Sequence, residues 1–196
     1  SLGTTVADAQ GNWTLTPSTP LAEGAYQFTA QATNAAGTKS NVSAPYALLI
    51  DTTAPGAPVI TTVLDDVGTI QGAVGQDKKT DDATPTIQGT GQTPGDTIQV
   101  FDGATLIGTT TVGAGGTWTL TLTTTLNDGR HEFTAREVDP AGNVSVPSNL
   151  YPIVVDTVAP GKPTIDSVND DVGAIQGVVA RGGVTDDTVP QIKGKA

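Results

Sequence analysis

Between residues 59 and 155 the apolar positions come in short runs, and the clearest of them alternate. Trp118, Leu120 and Leu122 share one parity and Thr117, Thr119 and Thr121 the other, the signature of a half-buried strand with its tryptophan on the core face. Thr97-Ile98-Gln99-Val100-Phe101 alternates in the same way and runs into the turn signal Asp102-Gly103. Further strands are expected at 59–64, 84–89, 106–112, 131–138 and 150–155, with the Asn127-Asp128-Gly129 turn leading into the sixth. Seven strands within about 100 residues, with turns every 8–12, predict an immunoglobulin-like sandwich. In a fibronectin-type connectivity the turns 93–96, 113–116 and 139–147 fall at one pole. The connection 65–83, the turns 102–105 and 125–130, and the exit at Asp156 fall at the other.

The chain also repeats itself. Shifted by 105 residues it aligns without a gap, and roughly 42 of 91 positions are identical. Gly11-Asn12-Trp13-Thr14-Leu15-Thr16 falls on Gly116-Thr117-Trp118-Thr119-Leu120-Thr121, and Asp65-Asp66-Val67-Gly68 on Asp170-Asp171-Val172-Gly173. Asp51-Thr52-Thr53-Ala54-Pro55 and Asp156-Thr157-Val158-Ala159-Pro160 each end an apolar run and begin a proline-stiffened linker. The expected architecture is therefore all-β: tandem immunoglobulin-like β-sandwich modules of about 105 residues. Residues 1–55 form the back part of one module with its linker. Residues 56–160 form a complete module with its linker, and 161–196 the front part of a third. Ser1-Leu2-Gly3 reads as an internal cut from a longer chain, and partial modules at either end would leave unpaired strand edges.

Composition agrees with strands and tight turns: 24 Gly, 13 Pro, 36% hydrophobic residues and 4% aromatic residues. Twenty acidic against nine basic residues give a net charge of −11, which disfavours nucleic acid and anionic membrane surfaces as partners. No apolar run is long enough to insert into a membrane. Without Cys and with one His, the chain lacks the residues for thiolate chemistry or a multi-histidine metal site. No nucleophile, base and oxyanion donors can be assembled, so an enzyme is not expected. Trp13 and Trp118 are expected in cores, and His131 at an exposed strand position. The stretch 113–116 lacks the Lys-Ser/Thr of a phosphate loop, no complete EF-hand spacing occurs, and Arg181-Gly182-Gly183 reads as a turn.

The ordered set Asp102–Thr109, Gly115–Leu120, Leu126–Ala135, Asp139-Pro140-Ala141-Gly142-Asn143 and Asp156–Pro160 resembles the bacterial Ig-like repeats of giant biofilm-associated adhesins. The resemblance implies a type I-secreted protein on the surface of a Gram-negative cell, with these repeats as its stalk. It also implies Ca2+ at the junctions between neighbouring modules, and host or surface contacts made by distal domains.

Clustered carboxylates repel one another unless a cation joins them, and calcium takes six to eight oxygens. The candidate ligands are Asp51 and Asp156 at the module ends and Asp139 and Asn143 on the receiving pole. Asp65, Asp66, Asp81 and Asp82 bracket the long connection, repeated as Asp170, Asp171, Asp186 and Asp187. The earlier module has Asn34 and Thr38 in place of Asp139 and Asn143. Asp in these contexts is also ordinary turn chemistry. The leading expectation is a calcium-stiffened spacer supporting attachment and biofilm formation. The alternatives are a glycan- or protein-binding module and homophilic contact through exposed strand edges.

Overall fold

The computed structural model describes residues 1–196 and contains strands and turns but no helix. It divides into two compact units, Ser1–Val155 and Asp156–Ala196.

The first unit begins with β1 (Gly24–Phe28) and β2 (Tyr46–Ile50), an antiparallel pair. The complete module follows with β3 (Val59–Asp65), β4 (Gly72–Val74), β5 (Lys79–Thr80), β6 (Thr86–Thr90) and β7 (Thr97–Asp102). It continues with β8 (Thr105–Thr111), β9 (Thr117–Thr121), β10 (Gly129–Val138) and β11 (Tyr151–Val155). One sheet runs β4-β3-β6-β9 and the other β5-β11-β10-β7-β8. Every pairing is antiparallel except β5 with β11. The seven expected strands are present with ends shifted by one or two residues. Two short ones, β4 and β5, lie inside the 65–83 connection, which showed no periodicity because neither is long enough to display one.

Alternation explains the core. In β7 Ile98 and Val100 point inward, and in β10 Phe133 and Ala135 do. They meet Ile60, Val63, Ile87 and Trp118 from the opposite sheet. Phe133 is fully buried, a contribution of about 3 kcal/mol relative to an exposed ring. Gly89 lies opposite Trp118 in the β6–β9 ladder. A Cβ at Gly89 would sit 2.3 Å from the indole and 2.1 Å from the Val59 carbonyl oxygen, so glycine is what lets the ring lie flat on the strand. Two side chains close the core's ends. Tyr151 donates its hydroxyl to the Val74 carbonyl at 2.8 Å, and Asn149 bonds both the N–H and the C=O of Ile60.

The second unit holds β12 (Thr164–Asp170), β13 (Gly177–Val179) and β14 (Gln191–Lys195) in one sheet ordered β13-β12-β14. It repeats β4-β3-β6, including the bulge, which falls at Ile60/Thr62 and again at Ile165/Ser167.

Two expectations are corrected. Trp13 is 56% exposed, whereas Trp118 is 2% exposed. Residues 13–16 share the sequence of 118–121 in β9 but form no strand, because nothing in the first unit plays the part of β6 for them. His131 is not an exposed strand residue. Its side chain is 11% exposed and both ring nitrogens are engaged.

Candidate metal centre at a module junction

The pole of the complete module that receives the linker is built from the 91–96 turn, the end of β10 and the 139–143 loop. Glu137 continues the inward parity of Phe133 and Ala135 but lies beyond the apolar layer, fully buried. Its carboxylate accepts the N–H groups of Gln92, at 2.8 Å and 3.0 Å, and of Thr93 at 2.9 Å. Its own N–H donates to Ser145 Oγ at 2.9 Å. This carboxylate therefore pins the 92–96 turn against β10.

Asp96 ends that turn and is 3% exposed. Burial pushes its carboxyl above the usual range, and Glu137, Asp139 and Asp51 add to the rise. Asp139 starts a loop closed on itself: its two oxygens accept Asn143 N and Asn143 Nδ2, both at 2.8 Å. Those bonds lower the Asp139 carboxyl below its ordinary value. Asn143 Nδ2 also donates to the backbone carbonyl of Asp51 at 3.1 Å, tying the end of the preceding piece to this pole. Asp51 itself accepts Thr53 N at 3.1 Å.

Turn chemistry is the first duty of the Asp139–Asn143 pair. Asp8 holds Gln10 N, Asn12 N and Asn12 Nδ2 in the same way, and Asn34 holds Ala36 N and Thr38 N. What sets the 139–143 loop apart is the company of Asp96 and Glu137. The earlier repeat has Ala32 where Glu137 stands.

The second set of candidates sits in the long connection. Asp65 accepts the Thr80 hydroxyl at 2.5 Å and Val67 N at 3.0 Å, and Asp82 accepts Thr84 N at 2.7 Å. Asp170, Thr185 and Asp187 repeat the arrangement with the same bond lengths. Asp66, Asp81, Asp171 and Asp186 are exposed. Asp81 lies against Gly68, where a Cβ would fall 2.2 Å from its Oδ2, and Asp186 against Gly173 likewise. The oxygens of Asp65 and Asp82 are thus spent on fixing the connection. Asp156 follows β11 directly and is partly buried.

Nowhere do three Asp, Glu or His side chains close on one point. Asp96, Glu137 and Asp139 border the junction, and a cation there would be held by part of this set with backbone carbonyls and water. That donor set is all oxygen and anionic, which fits a hard divalent ion. Sequence reading missed Asp96 and Glu137. Asp96 stands alone among neutral neighbours, and Glu137 follows Arg136 in a strand whose local sequence does not mark it as buried.

Two packed sheets, antiparallel throughout except where the short β5 runs beside β11, define an immunoglobulin-like module. The chain belongs to the bacterial Ig-like domain family, whose profile matches residues 1–52 and 57–157. Over 153 residues it is 35% identical to Exoglucanase B of Cellulomonas fimi, covering 71% of this chain and 12% of that protein. Among solved structures it is similar to a biofilm associated protein, BSP domain, at 21% identity and a TM-score of 0.37, over 73% of this chain and 21% of the other.

Proposed function

We propose that these modules are non-catalytic spacers in a bacterial surface adhesin, stiffened by calcium at the joint before the complete module, and that they support attachment and biofilm formation. The observation that carries this reading is the tie between Asn143 and the Asp51 carbonyl beside the buried Asp96–Glu137 pair. The end of one module is held against a pole that bears more carboxylate than its own turn needs. A divalent ion there would offset the burial and the neighbouring negative charge that together raise Asp96, and would link the linker to both loops. The adhesin setting rests on the sequence resemblance; the Cellulomonas fimi relative is a far longer protein in which such a module is a small part.

Thermal unfolding with and without ~5 mM calcium tests the proposal, with small-angle scattering on the same samples. Sites of the weak extracellular class, about 10⁻⁴–10⁻³ M, would add about 1–2 kcal/mol and several degrees. The expected result is that rise together with a stiffer particle. Identical melting and scattering in calcium and chelator would overturn the calcium joint.

A further inference from the structure

The inward row of β10 runs His131, Phe133, Ala135, Glu137, so a titratable side chain closes each end of the core. Glu137 closes the receiving pole by accepting N–H groups of the 92–93 turn. His131 closes the other pole and meets the opposite kind of partner. Its Nδ1 lies 2.7 Å from Asp102 Oδ2, and its Nε2 lies 2.8 Å from the Asn127 carbonyl oxygen. A carboxylate and a backbone carbonyl only accept, so both contacts are hydrogen bonds only when the ring is an imidazolium. A neutral ring of either tautomer would turn one nitrogen lone pair toward an oxygen lone pair at hydrogen-bond distance.

We propose that His131 is a proton-operated latch: as an imidazolium it ties the 125–128 turn to the end of β7, and on losing one proton it keeps Asp102 and releases Asn127. The inference is independent of whether the joint takes calcium.

The earlier repeat makes the same tie with a group that does not titrate near neutrality. The 105-residue shift places Tyr26 at His131 and Ala22 at Asn127, and the Tyr26 hydroxyl donates to the Ala22 carbonyl at 2.9 Å. A donor to this carbonyl is therefore a standing part of the turn, and only the complete module makes it depend on a proton. Around the ring, Arg130 and Glu132 flank it on the outward parity of β10, where Arg130 pairs with Glu132 at 3.1 Å and Asp77 at 2.6 Å. β11 sets uncharged Ile153 opposite it, and the turn adds Asp128. Asp65 and Asp82 lie buried on the facing side, bonded to Thr80 and Thr84. Among these charges it is Asp102 that acts on the ring. Burial on its own pushes the imidazole pKa down, but the Asn127 and Asp102 bonds outweigh it and hold the pKa above its ordinary value. The carboxylate is the stronger acceptor, so the last proton stays on Nδ1 and the Asn127 contact is the one lost. Asp102 stays fastened in any case, because its Oδ1 accepts Glu132 N at 2.9 Å. The released turn then hangs on one bond to the facing sheet, from Leu126 N to the Ala83 carbonyl at 2.8 Å.

The chain has one His, so nitrogen NMR of the full chain follows this ring without ambiguity. At about pH 5.5 both ring nitrogens should carry protons, and Nε2 alone should lose its proton through a midpoint above about 6.5. Across that midpoint the Leu126 amide, corrected for its intrinsic exchange rate, should lose protection about tenfold or more, as for one bond to a charged group. Glu132 N–H should keep its protection throughout. Asp102→Asn should lower the midpoint by about one unit or more. His131→Tyr, which copies the earlier repeat, should keep Leu126 protected with no step. The wild-type measurements decide the proposal on their own should that variant fail to fold. A ring already singly protonated at about pH 5.5, or one that loses the Nδ1 proton first, overturns the latch. So does Leu126 protection without a step at the ring's midpoint, a midpoint unmoved in Asp102→Asn, or a folded His131→Tyr that steps as the wild type does.

Discussion

Trp118 and Trp13 occupy the same place in two copies of one sequence, and truncating each should have very different costs. Trp118 is 2% exposed and Trp13 is 56% exposed, a difference of about half of one indole-bearing residue. Taking ~250 Å² for a buried Trp, that half is roughly 130 Å², or about 3 kcal/mol at ~25 cal/mol/Å². Trp118→Ala also leaves a hole over Gly89, which bulky neighbours cannot fill because the Val59 carbonyl lies against the same spot. Its full cost should be about 3–5 kcal/mol. Trp13→Ala should cost under about 1 kcal/mol, as expected of a mostly exposed side chain. Urea unfolding of the full chain measures both. The chain has two tryptophans, so each variant retains a single emitter. With Trp118 as that emitter, fluorescence should be blue-shifted and should follow the cooperative transition. With Trp13 as the emitter it should already be red-shifted in the native state. Equal costs for the two substitutions would refute the claim that the ladder partner, and not the local sequence, decides where this residue goes.

Asp96→Asn should raise the melting temperature in chelator and abolish the rise caused by calcium, because the folded state holds this carboxyl above its ordinary pKa. A carboxyl raised in this way binds its proton more tightly when folded, so its charge at neutral pH opposes folding. A variant less stable in chelator with an intact calcium response would contradict this. His131 should give stability that is complete below its unfolded pKa of about 6.5 and lost as pH rises through its higher folded value. Burial opposes its charge, but bonds to the Asn127 carbonyl and Asp102 outweigh that and raise the pKa. Urea midpoints across that range should slope downward for the wild type and flatten in His131→Gln. Tyr151→Phe should cost about 1–3 kcal/mol in the same assay, since it strands the buried Val74 carbonyl.

The repeat and the alternating strands were legible because both are periodic, and periodicity survives without knowledge of partners. Strand membership is a different matter, as 12–16 demonstrates: identical alternation yields β9 where β6 is beside it and irregular chain where it is not. The junction was legible in part. Asp139 and Asn143 carry a recognisable turn pattern, whereas Asp96 and Glu137 come together only through the fold, from positions 41 residues apart. His131 looked like an exposed strand residue because nothing in the local sequence reveals Asp102 across the β7–β10 ladder, 2.7 Å from its Nδ1.

The loop at 34–38 keeps the fold of the one at 139–143 without its acids: Asn34 caps the turn as Asp139 does, and Ala32 and Thr38 replace Glu137 and Asn143. Joint behaviour is thereby separated from module architecture. If, as proposed, the modules form a filament whose joints cations stiffen, neighbouring joints need not respond alike, and the pattern of rigid and compliant joints is written in a few side chains at the receiving pole. Such a filament can be retuned one joint at a time, by substitutions that leave every sandwich core untouched.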